Sequence, residues 1–345
     1  MRIFKSLATY STCIYGFQRQ TIHIYSGVIL VLIFKIPLWY GSDSNKKTVT
    51  QTMQNERLYL GIDGGGTRCR ARIVNASGDI LGEAVSGGAN TRLGMDHVFG
   101  EIVAAASLAL EKAGMDDSRL GDLHAGLGLA GLPLERERKL AHAYPHPFAS
   151  ICFATDAYTA CLGAHDGADG AILIVGTGTC GQAIVGNREL SVAGWGFEVS
   201  DIGSGARIGR AAIETALLAH DGLTSQTDLT KQVMGKFNHN PEDIVAFAET
   251  ARPADYGSFC PLVFDAEAKG DAAAGAIIDI AVQANLQILR KLTAFGASQI
   301  TLMGGLADQM ANRMPRDIAD QLVSAKHDAM HGAILMAKQR ERTAA

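Results

Sequence analysis

The chain has 345 residues, of which 47% are hydrophobic and 19% are charged, and its formal net charge is −4. This length and composition are typical of a soluble globular protein with two lobes that each bury a core. Acidic and basic residues are interspersed, which argues against a nucleic-acid-binding protein.

The cysteines are scattered and include no Cys-x-x-Cys pair, so they suggest neither a zinc motif nor a disulfide framework. We expect reduced thiols in a cytoplasmic protein. The six are Cys13, Cys69, Cys152, Cys161, Cys180 and Cys260.

Residues 1–56 form an N-terminal extension of different composition. Its Gly27–Phe34 stretch is strongly apolar, but Lys35 interrupts it and leaves a run too short for a spanning helix. A span over residues 21–40 requires Lys35 to snorkel to the membrane surface. We expect a disordered tail or the product of an upstream start codon, because Met53 lies just before the first predicted strand. A membrane anchor is the alternative.

Glycines form the tip of a predicted hairpin directly after the extension. Tyr59–Ile62 is a short apolar strand, and residues 68–74 alternate between polar and apolar, as a half-buried strand does. Between them lies Asp63-Gly64-Gly65-Gly66-Thr67, where backbone amides and the Thr67 hydroxyl can approach an anion. Asp63 would repel a bare phosphate, so its position suggests a hydrated magnesium ion between the carboxylate and the phosphates.

Strands and helices alternate through the rest of the first half. The patterns predict a strand at Ile80–Val85, a helix from an Asp96 cap to Gly114, a strand after Leu123, a helix at Leu134–Ala143, and a strand at Ser150–Ala154 that ends in Thr155-Asp156.

The second half repeats the first hairpin. A strand at Ala171–Val175 leads into Gly176-Thr177-Gly178-Thr179, and further strands follow at Gly181–Val185 and Leu190–Ala193. Thr67 and Thr179 are 179 − 67 = 112 residues apart, which is about one small lobe. We therefore expect two hairpins that close on one phosphate chain.

Helices dominate the remainder of the chain. We expect helices at 206–218, over much of 227–295 and at 328–338, with a buried strand at Gln299–Met303 directly before Gly304-Gly305. The alternation of strands and helices in both halves predicts the α/β class.

Several motifs occur in one order along the chain. They are Asp63-Gly-Gly-Gly-Thr67, Thr155-Asp156, Gly176-Thr-Gly-Thr179, Gly194-Trp-Gly196, Asp201-x-Gly-Ser-Gly205 and Met303-Gly-Gly305. This order resembles the N-acetylglucosamine kinase and BadF/BadG/BcrA/BcrD-type ATPase group within the actin-like ATPase and sugar kinase superfamily. The segments His146–Ile151, Thr155–Tyr158 and Ala160–His165 are similar to bacterial glucosamine kinases.

The resemblance implies two ribonuclease-H-like lobes around a cleft. The N-terminal lobe would span residues 57–165 and be completed by the C-terminal helix at 326–345. The C-terminal lobe would span 166–325. ATP would lie in the cleft with the sugar beside its γ-phosphate.

The resemblance also assigns roles to residues that match the family motifs. Asp156 would accept the proton of the attacking sugar hydroxyl, whose pKa is too high for it to react unaided. The nucleotide would contact Gly65, Gly66, Thr67, Thr177, Gly178, Thr179, Gly257, Gly304 and Gly305, with magnesium held through Asp63. The sugar would contact Asn90, Asp156, Gly194, Trp195, Gly196 and Asp201.

The chain departs from the family at two positions. Ile202 stands where the wider family often carries Glu, and Cys180 stands where enzymes for acetylated sugars tend to carry Asn. Both departures favour a sugar without the acetamido group. Glu198 is an additional acid that could attract a substrate ammonium, although a solvated loop charge is the simpler interpretation. For Trp195 and Asp201, core packing and helix capping are the structural alternatives.

The first hypothesis is an ATP-dependent glucosamine kinase that forms glucosamine 6-phosphate, with N-acetylglucosamine kinase as the near alternative. An ATP-driven activator of 2-hydroxyacyl-CoA dehydratases has the same fold, but it shares an iron–sulfur cluster across its dimer through cysteines beside a Gly-Gly-Gln-Asp motif. The corresponding turn in this chain is Gly176-Thr-Gly-Thr179. A sugar sensor without catalysis is the third hypothesis. The expected partners are the amino sugar and ATP, without nucleic acid or membrane, and a homodimer is left open.

Overall fold

The computed structural model describes residues 57–132 and 135–344. The predicted N-terminal extension, including its possible membrane anchor, lies outside the described residues.

A mixed five-stranded sheet forms the first half. The strands are β1 (Leu58–Gly64), β2 (Cys69–Val74), β3 (Ile80–Ser86), β4 (Leu123–Leu129) and β5 (Ser150–Thr155). Their order is β3-β2-β1-β4-β5, with β1 antiparallel to β2 and parallel to β4. The predicted strands are confirmed with small changes at their ends.

Helix α1 (Met95–Lys112) covers this sheet and buries Val98 and Ile102 against it. The prediction that Asp96 caps α1 is wrong. The N-cap is Gly94, and the Asp96 carboxylate instead accepts a hydrogen bond of 2.8 Å from the Tyr144 hydroxyl. Helix α2 (Glu135–Ala143) and two 3₁₀ turns (Thr91–Leu93 and Asp117–Asp122) complete the connections.

Helix α3 (Asp156–Ala164) begins where β5 ends and leads into a second sheet. The strands of that sheet are β6 (Gly170–Val175), β7 (Thr179–Val185), β8 (Arg188–Ala193) and β9 (Ile300–Met303). The order β8-β7-β6-β9 repeats the plan of the first sheet, with an antiparallel meander followed by a parallel strand. The α/β class and the two-lobed plan are thereby confirmed.

The second sheet is covered by helices inserted between β8 and β9. These are α4 (Gly205–His220), α5 (Asp228–Lys236), α6 (Pro241–Thr250), α7 (Pro253–Gly257), α8 (Cys260–Glu267) and α9 (Ala272–Phe295), with α10 (Ala307–Ala311) and α11 (Arg316–Ala319) after β9. The N-cap of α9 is Asp271, whose carboxylate accepts hydrogen bonds from two backbone amides, and its C-cap is Gly296 in the left-handed conformation. Among the described residues α9 alone is long and apolar enough to cross a membrane, but its apolar side chains pack in the core of this half.

The last helix, α12 (Ala329–Ala344), returns to the first sheet and packs against β1, β4 and α3. Glycines allow the backbone of α12 and the chain just before it to contact the backbones of β4 and α3 directly. A Cβ atom at Gly126 of β4 would lie 1.9 Å from the Ala333 carbonyl oxygen, and one at Gly163 of α3 would lie 2.0 Å from the Asp328 carbonyl oxygen. The described residues form one compact unit, and the predicted boundaries of the two lobes within it stay a prediction.

The contact between β4 and α12 can be tested with Gly126→Ala. The added methyl group collides with backbone that cannot move without shifting α12, so we expect a loss of about 1–3 kcal/mol in the free energy of unfolding. Gly275→Ala in α9 is the matched control. A Cβ there meets nothing within 4 Å, so this helical substitution should stabilise by about 0.5–1 kcal/mol. Urea denaturation measures both changes, and equal stability of the two variants would contradict the close packing.

Candidate functional site

A cavity of about 400 Å³ lies between loops of the first half and the strand ends of the second. Its lining includes eight of the residues predicted to bind sugar or phosphate, which are Asn90, Asp156, Thr177, Gly178, Thr179, Gly194, Trp195 and Asp201. The structure therefore brings together side chains that are separated by more than a hundred positions in the sequence.

A second cavity of about 720 Å³ adjoins the first, since Gly176 and Thr177 line both. Gly257 and Gly305 line this second cavity, as predicted for a nucleotide. Gly304 does not line it. A Cβ there would lie 2.4 Å from the Val175 carbonyl oxygen, so Gly304 serves the close approach of β9 to β6.

The β6–β7 hairpin separates the two cavities. Its tip is closed by a 2.9 Å hydrogen bond from the Gly176 amide to the Gly178 carbonyl, and the Gly176 carbonyl accepts from Gly205. Within the described part of the chain, the amides of Thr177 and Gly178 make no hydrogen bond. They are free to bind an anion.

The β1–β2 hairpin has a similar tip but lines neither cavity. The Gly65 amide donates to the Arg68 carbonyl at 2.9 Å, and Ala89 donates to the Gly65 carbonyl. Gly66 and Thr67 are exposed at the tip, and a Cβ on Gly66 would meet nothing within 4 Å. Their role in phosphate binding stays a prediction.

Asp63 lies at the end of β1 and forms an ion pair with Arg70 on β2. Both hydrogen bonds from the guanidinium reach Oδ2, which leaves Oδ1 without a hydrogen bond among the described residues. A carboxylate oxygen of this kind is the donor that Mg²⁺ prefers. Asp63 therefore fits a role as a magnesium ligand.

Asp156 is the first residue of α3, and Thr155 is the N-cap, whose hydroxyl accepts from the Tyr158 amide. The Asp156 Oδ1 atom accepts a 2.9 Å hydrogen bond from the Ala157 amide. Burial raises the pKa of Asp156, and the nearby charge of Asp63 acts in the same direction, against the lowering effect of the Ala157 amide. A carboxylate that binds protons more readily than usual, at the wall of a cavity, is suited to accept one from a ligand.

Asp201 is a strained and buried acid at the base of the first cavity. Its backbone has φ +61°, an unfavourable value for a residue other than glycine. Its Oδ1 atom and the Thr179 hydroxyl are both buried without a hydrogen-bond partner. Burial raises the pKa of Asp201, while the Thr179 amide and Arg207 oppose that shift. Unsatisfied buried polar atoms that line a cavity indicate a polar ligand.

Asp201 does not cap the next helix, so that structural alternative is wrong. The N-cap of α4 is Ser204, whose hydroxyl accepts from the Arg207 amide. Core packing is likewise wrong for Trp195, because its side chain is 64% exposed at the mouth of the cavity. The sugar-side prediction stays open for both residues.

Asn90 and the Gly194–Gly196 loop face the first cavity from opposite halves. The Asn90 Oδ1 atom accepts from the Arg92 amide, and its Nδ2 group makes no hydrogen bond within the described ranges. Gly194 has φ +76° and approaches Cys180, where a Cβ would lie 2.8 Å from the cysteine Cβ. Gly196 does not line the cavity.

Sequence reasoning missed a polar pair in this cavity. Gln182 on β7 and Ser191 on β8 face each other across the strands, and the Ser191 hydroxyl donates to Gln182 Oε1 at 2.5 Å. Gln182 is 1% exposed. An amide in an otherwise apolar strand, two residues after Cys180, was the available signal.

The two departures from the family pattern differ in their positions. Cys180 lines the first cavity, and burial, together with the charges of Asp156 and Asp201, raises the pKa of its thiol to about 12. The side chain is therefore a neutral, small group beside the acids. Ile202 is 51% exposed and does not line the cavity, and neither does Glu198.

Two similar sheets, each with a glycine hairpin, and a pair of adjoining cavities define a two-lobed protein of the ATPase and sugar kinase class. The chain belongs to the BadF/BadG/BcrA/BcrD ATPase family, whose profile matches residues 60–337. Membership of this family implies the use of ATP.

Individual relatives include sugar kinases. The chain is 42% identical to glucosamine kinase GspK from Vibrio cholerae over 82% of this chain and 96% of the relative. It is 24% identical to N-acetyl-D-glucosamine kinase from Dictyostelium discoideum, over 82% and 98% of the two chains. The crystal structure of a candidate N-acetylglucosamine kinase from Chromobacterium violaceum matches with a TM-score of 0.75 and 30% identity, covering 81% of this chain and 99% of that one.

The raised pKa values of Asp156 and Asp201 mean that both acids cost stability when ionised. The unfolded chain loses these protons at a lower pH than the folded chain does. The loss in the free energy of unfolding is therefore absent below the pKa of the unfolded chain and complete above the raised pKa of the folded chain. We expect Asp156→Asn and Asp201→Asn each to stabilise by about 0.5–2 kcal/mol at about pH 8. The gain should shrink toward about pH 4, near the ordinary pKa. Thermal unfolding across this range measures it, and a gain independent of pH would contradict the assignment.

Proposed function

We propose that this protein is an ATP-dependent kinase that phosphorylates the 6-hydroxyl of glucosamine. The observation that carries the proposal is the junction of two cavities at the β6–β7 hairpin, with Asp156 and Asp201 in one and glycines in the other. A sugar in the first cavity and a nucleotide in the second would meet at Thr177, where phosphate must pass between them.

Asp156 is the residue that we assign to orient the attacking hydroxyl and accept its proton. Its Oδ1 atom is held by the Ala157 amide, which fixes the carboxylate at the start of α3. Phosphoryl transfer has a loose transition state, so positioning and neutralisation of charge contribute more than full removal of the proton. The Asp201 carboxylate and the Thr179 hydroxyl would gain partners from sugar polar groups.

The phosphates of ATP would lie against the free amides of Thr177 and Gly178, with the first hairpin approaching from the other side. Magnesium would be held through Asp63, directly or by bound water, and when bound it would neutralise phosphate charge. Arg70 keeps the Asp63 side chain in place by its bonds to Oδ2. Gly257 and Gly305 would leave room for the nucleoside.

Glucosamine is favoured over N-acetylglucosamine by three observations. The relative named as a glucosamine kinase is 42% identical to this chain, whereas the Dictyostelium N-acetylglucosamine kinase is 24% identical. Cys180, a neutral group near both acids, lines the sugar cavity. The acids Asp156 and Asp201, which both line this cavity, also suit a substrate ammonium better than an acetamido group, since a carboxylate attracts a cation. Location in the cytoplasm and a homodimeric state stay predictions.

The activator hypothesis needs a cysteine-bound cluster. Among the described residues, the one group of side chains placed to share a metal contains no cysteine, and four of the five described cysteines are buried. A sensor without catalysis would have no need for Asp156 in a cavity that adjoins a second, glycine-lined cavity.

A coupled assay of ADP release with glucosamine, N-acetylglucosamine and glucose tests the proposal. We expect the highest kcat/KM with glucosamine, because only this sugar carries an ammonium toward the two acids. Higher kcat/KM with N-acetylglucosamine would favour the alternative kinase. ATP turnover independent of any sugar would contradict both.

Asp156→Asn should lower kcat by about 10²–10⁴-fold, since the amide retains the bond from Ala157 but accepts no proton. Asp228→Asn is the matched control, because Asp228 is also in the first turn of a helix but lines neither cavity. Its kcat should equal that of the parent chain. A near-normal rate for Asp156→Asn would remove Asp156 from the role of base.

The pH dependence of the rate should follow the raised pKa of Asp156. The reaction requires the carboxylate, so kcat/KM should fall as pH falls, and its midpoint should lie above the ordinary aspartate value of about 3.9. A plot of log kcat/KM against pH measures the midpoint. A midpoint at or below the ordinary value would mean that Asp156 is not the titrating group.

A further inference from the structure

Three ligating side chains meet outside both cavities, where the chain passes between the two sheets. They are Asp166, His327 and His331, and their ligand atoms all lie within 4.8 Å of one another. Asp166 is in the connection from α3 to β6. The two histidines flank the start of α12, which returns to the first sheet. The segment that leads from the first sheet to the second and the segment that leads back therefore meet at this cluster.

We propose that Asp166, His327 and His331 form a binding site for a divalent transition metal, with Zn²⁺ as the best match. Two histidines four residues apart present both rings to one side, and a carboxylate supplies the third ligand. Exposure of Asp166 and His327 leaves a fourth position open to water.

The distances fit a tetrahedral ion. The Nε2 atoms of His331 and His327 lie 3.0 Å and 3.9 Å from the same Asp166 Oδ1 atom. Ligand atoms about 2.0–2.2 Å from zinc are separated by about 3.3–3.5 Å in a tetrahedral site, so the two histidine–aspartate distances need to change by about half an ångström. The two histidine nitrogens, which lie within 4.8 Å of each other, need to approach by up to about 1.4 Å, which the exposed His327 side chain permits. The two rings already stack with centroids 3.9 Å apart and an interplanar angle of 24°.

The backbone holds the ligands in place before any ion binds. The Gly163 carbonyl accepts from the amides of both Asp166 and His327, and Lys326 donates to the neighbouring Ala164 carbonyl. Asp166 adopts φ +53°, a conformation that turns the chain back toward the histidines. A site with a fixed backbone loses little entropy when the metal binds.

Asp328 is next to the cluster, but its carboxylate is already hydrogen-bonded, so it orients His331 and is not itself a ligand. Asp328 accepts two hydrogen bonds from Arg72, at 2.9 Å and 2.7 Å, and a third from the His331 amide. Its oxygens are thus occupied, which leaves Asp166 as the carboxylate available to a cation. Asp328 positions His331 through the backbone.

Isothermal titration of the untagged, chelator-treated full chain with Zn²⁺ tests the site, with Co²⁺ absorption as the second measurement. We expect one equivalent to bind and the midpoint of thermal unfolding to rise. His327→Gln and His331→Gln should each weaken Zn²⁺ binding by more than about 10–100-fold. A loss of that size is usual when a residue that only hydrogen-bonds a metal ligand is removed, and these variants remove a ligand itself. His97→Gln is the matched control, because His97 is exposed and bonds a single carbonyl.

The proposal fails if the parent chain shows no saturable binding, or if both histidine variants bind as tightly as the parent chain. Strong near-ultraviolet thiolate absorption with Co²⁺ would also overturn it, since it would place the metal on cysteine. Circular dichroism in chelator checks that the variants fold. Asp166→Asn, which retains shape but removes the charged ligand, serves as a further variant. The experiment uses no sugar or ATP, so its outcome is independent of the proposed kinase activity.

Discussion

The position of α3 between the two sheets is the constraint on which the rest of the structure depends. This helix contacts β4 and β5 of the first sheet and β6 and β7 of the second. It cannot slide, because a Cβ at Gly128 would lie 2.0 Å from the Thr159 hydroxyl and Gly163 is pressed against the Asp328 carbonyl. The carboxylate at its first residue is therefore fixed relative to the β6–β7 hairpin. The carboxylate that we propose as the acceptor of the hydroxyl proton and the turn that we propose to bind phosphate are thus brought together by packing, without a direct bond between them.

The polar residues at the wall of the first cavity are in an energetically unfavourable state, which the surrounding apolar core maintains. Asp201 is buried, strained and without a partner for Oδ1, and the Thr179 hydroxyl beside it is also unpaired. Such features persist only where the surrounding structure enforces them. Here the enforcing elements are β6, β7 and α4, whose apolar side chains belong to the large core of the second half. Polar groups that remain unsatisfied in the folded chain are prepared for a ligand, since binding requires little reorganisation.

The repeated hairpins could be predicted from the sequence because glycine and threonine interrupt apolar strands in the same way in both halves. The position of Asp156 at the end of a strand could also be predicted, because Thr155-Asp156 directly follows the apolar run at Ser150–Ala154, whereas its role was implied by the resemblance. Helix starts were less predictable. Asp96 and Asp201 both have the chemistry of a cap, but Gly94 and Ser204 occupy the caps, and the two acids engage Tyr144 and the cavity instead.

Long-range proximity explains what the sequence could not reveal. Gln182 lines the cavity only because β7 and β8 pair in a register that sets it opposite Ser191. Asp166 and His331 are 165 positions apart, and they meet only because α12 returns across the sheets. The strand sequence marks Gln182 as unusual but does not reveal its partner, and the pair of Asp166 and His331 has no local signature. The local signature of Trp195 is ambiguous, since an aromatic ring between glycines suits a core as well as a cavity mouth.

The return of α12 to the first sheet has a consequence for biosynthesis. Ala333 of the helix and Gly126 of β4 are in contact, yet they are 333 − 126 = 207 residues apart, so β1 and β4 are translated long before the helix that packs on them. Until then the sheet face that α12 covers has no native cover, and a nascent chain in this state is a natural client for chaperones. The half that is made first is thus the half that matures last.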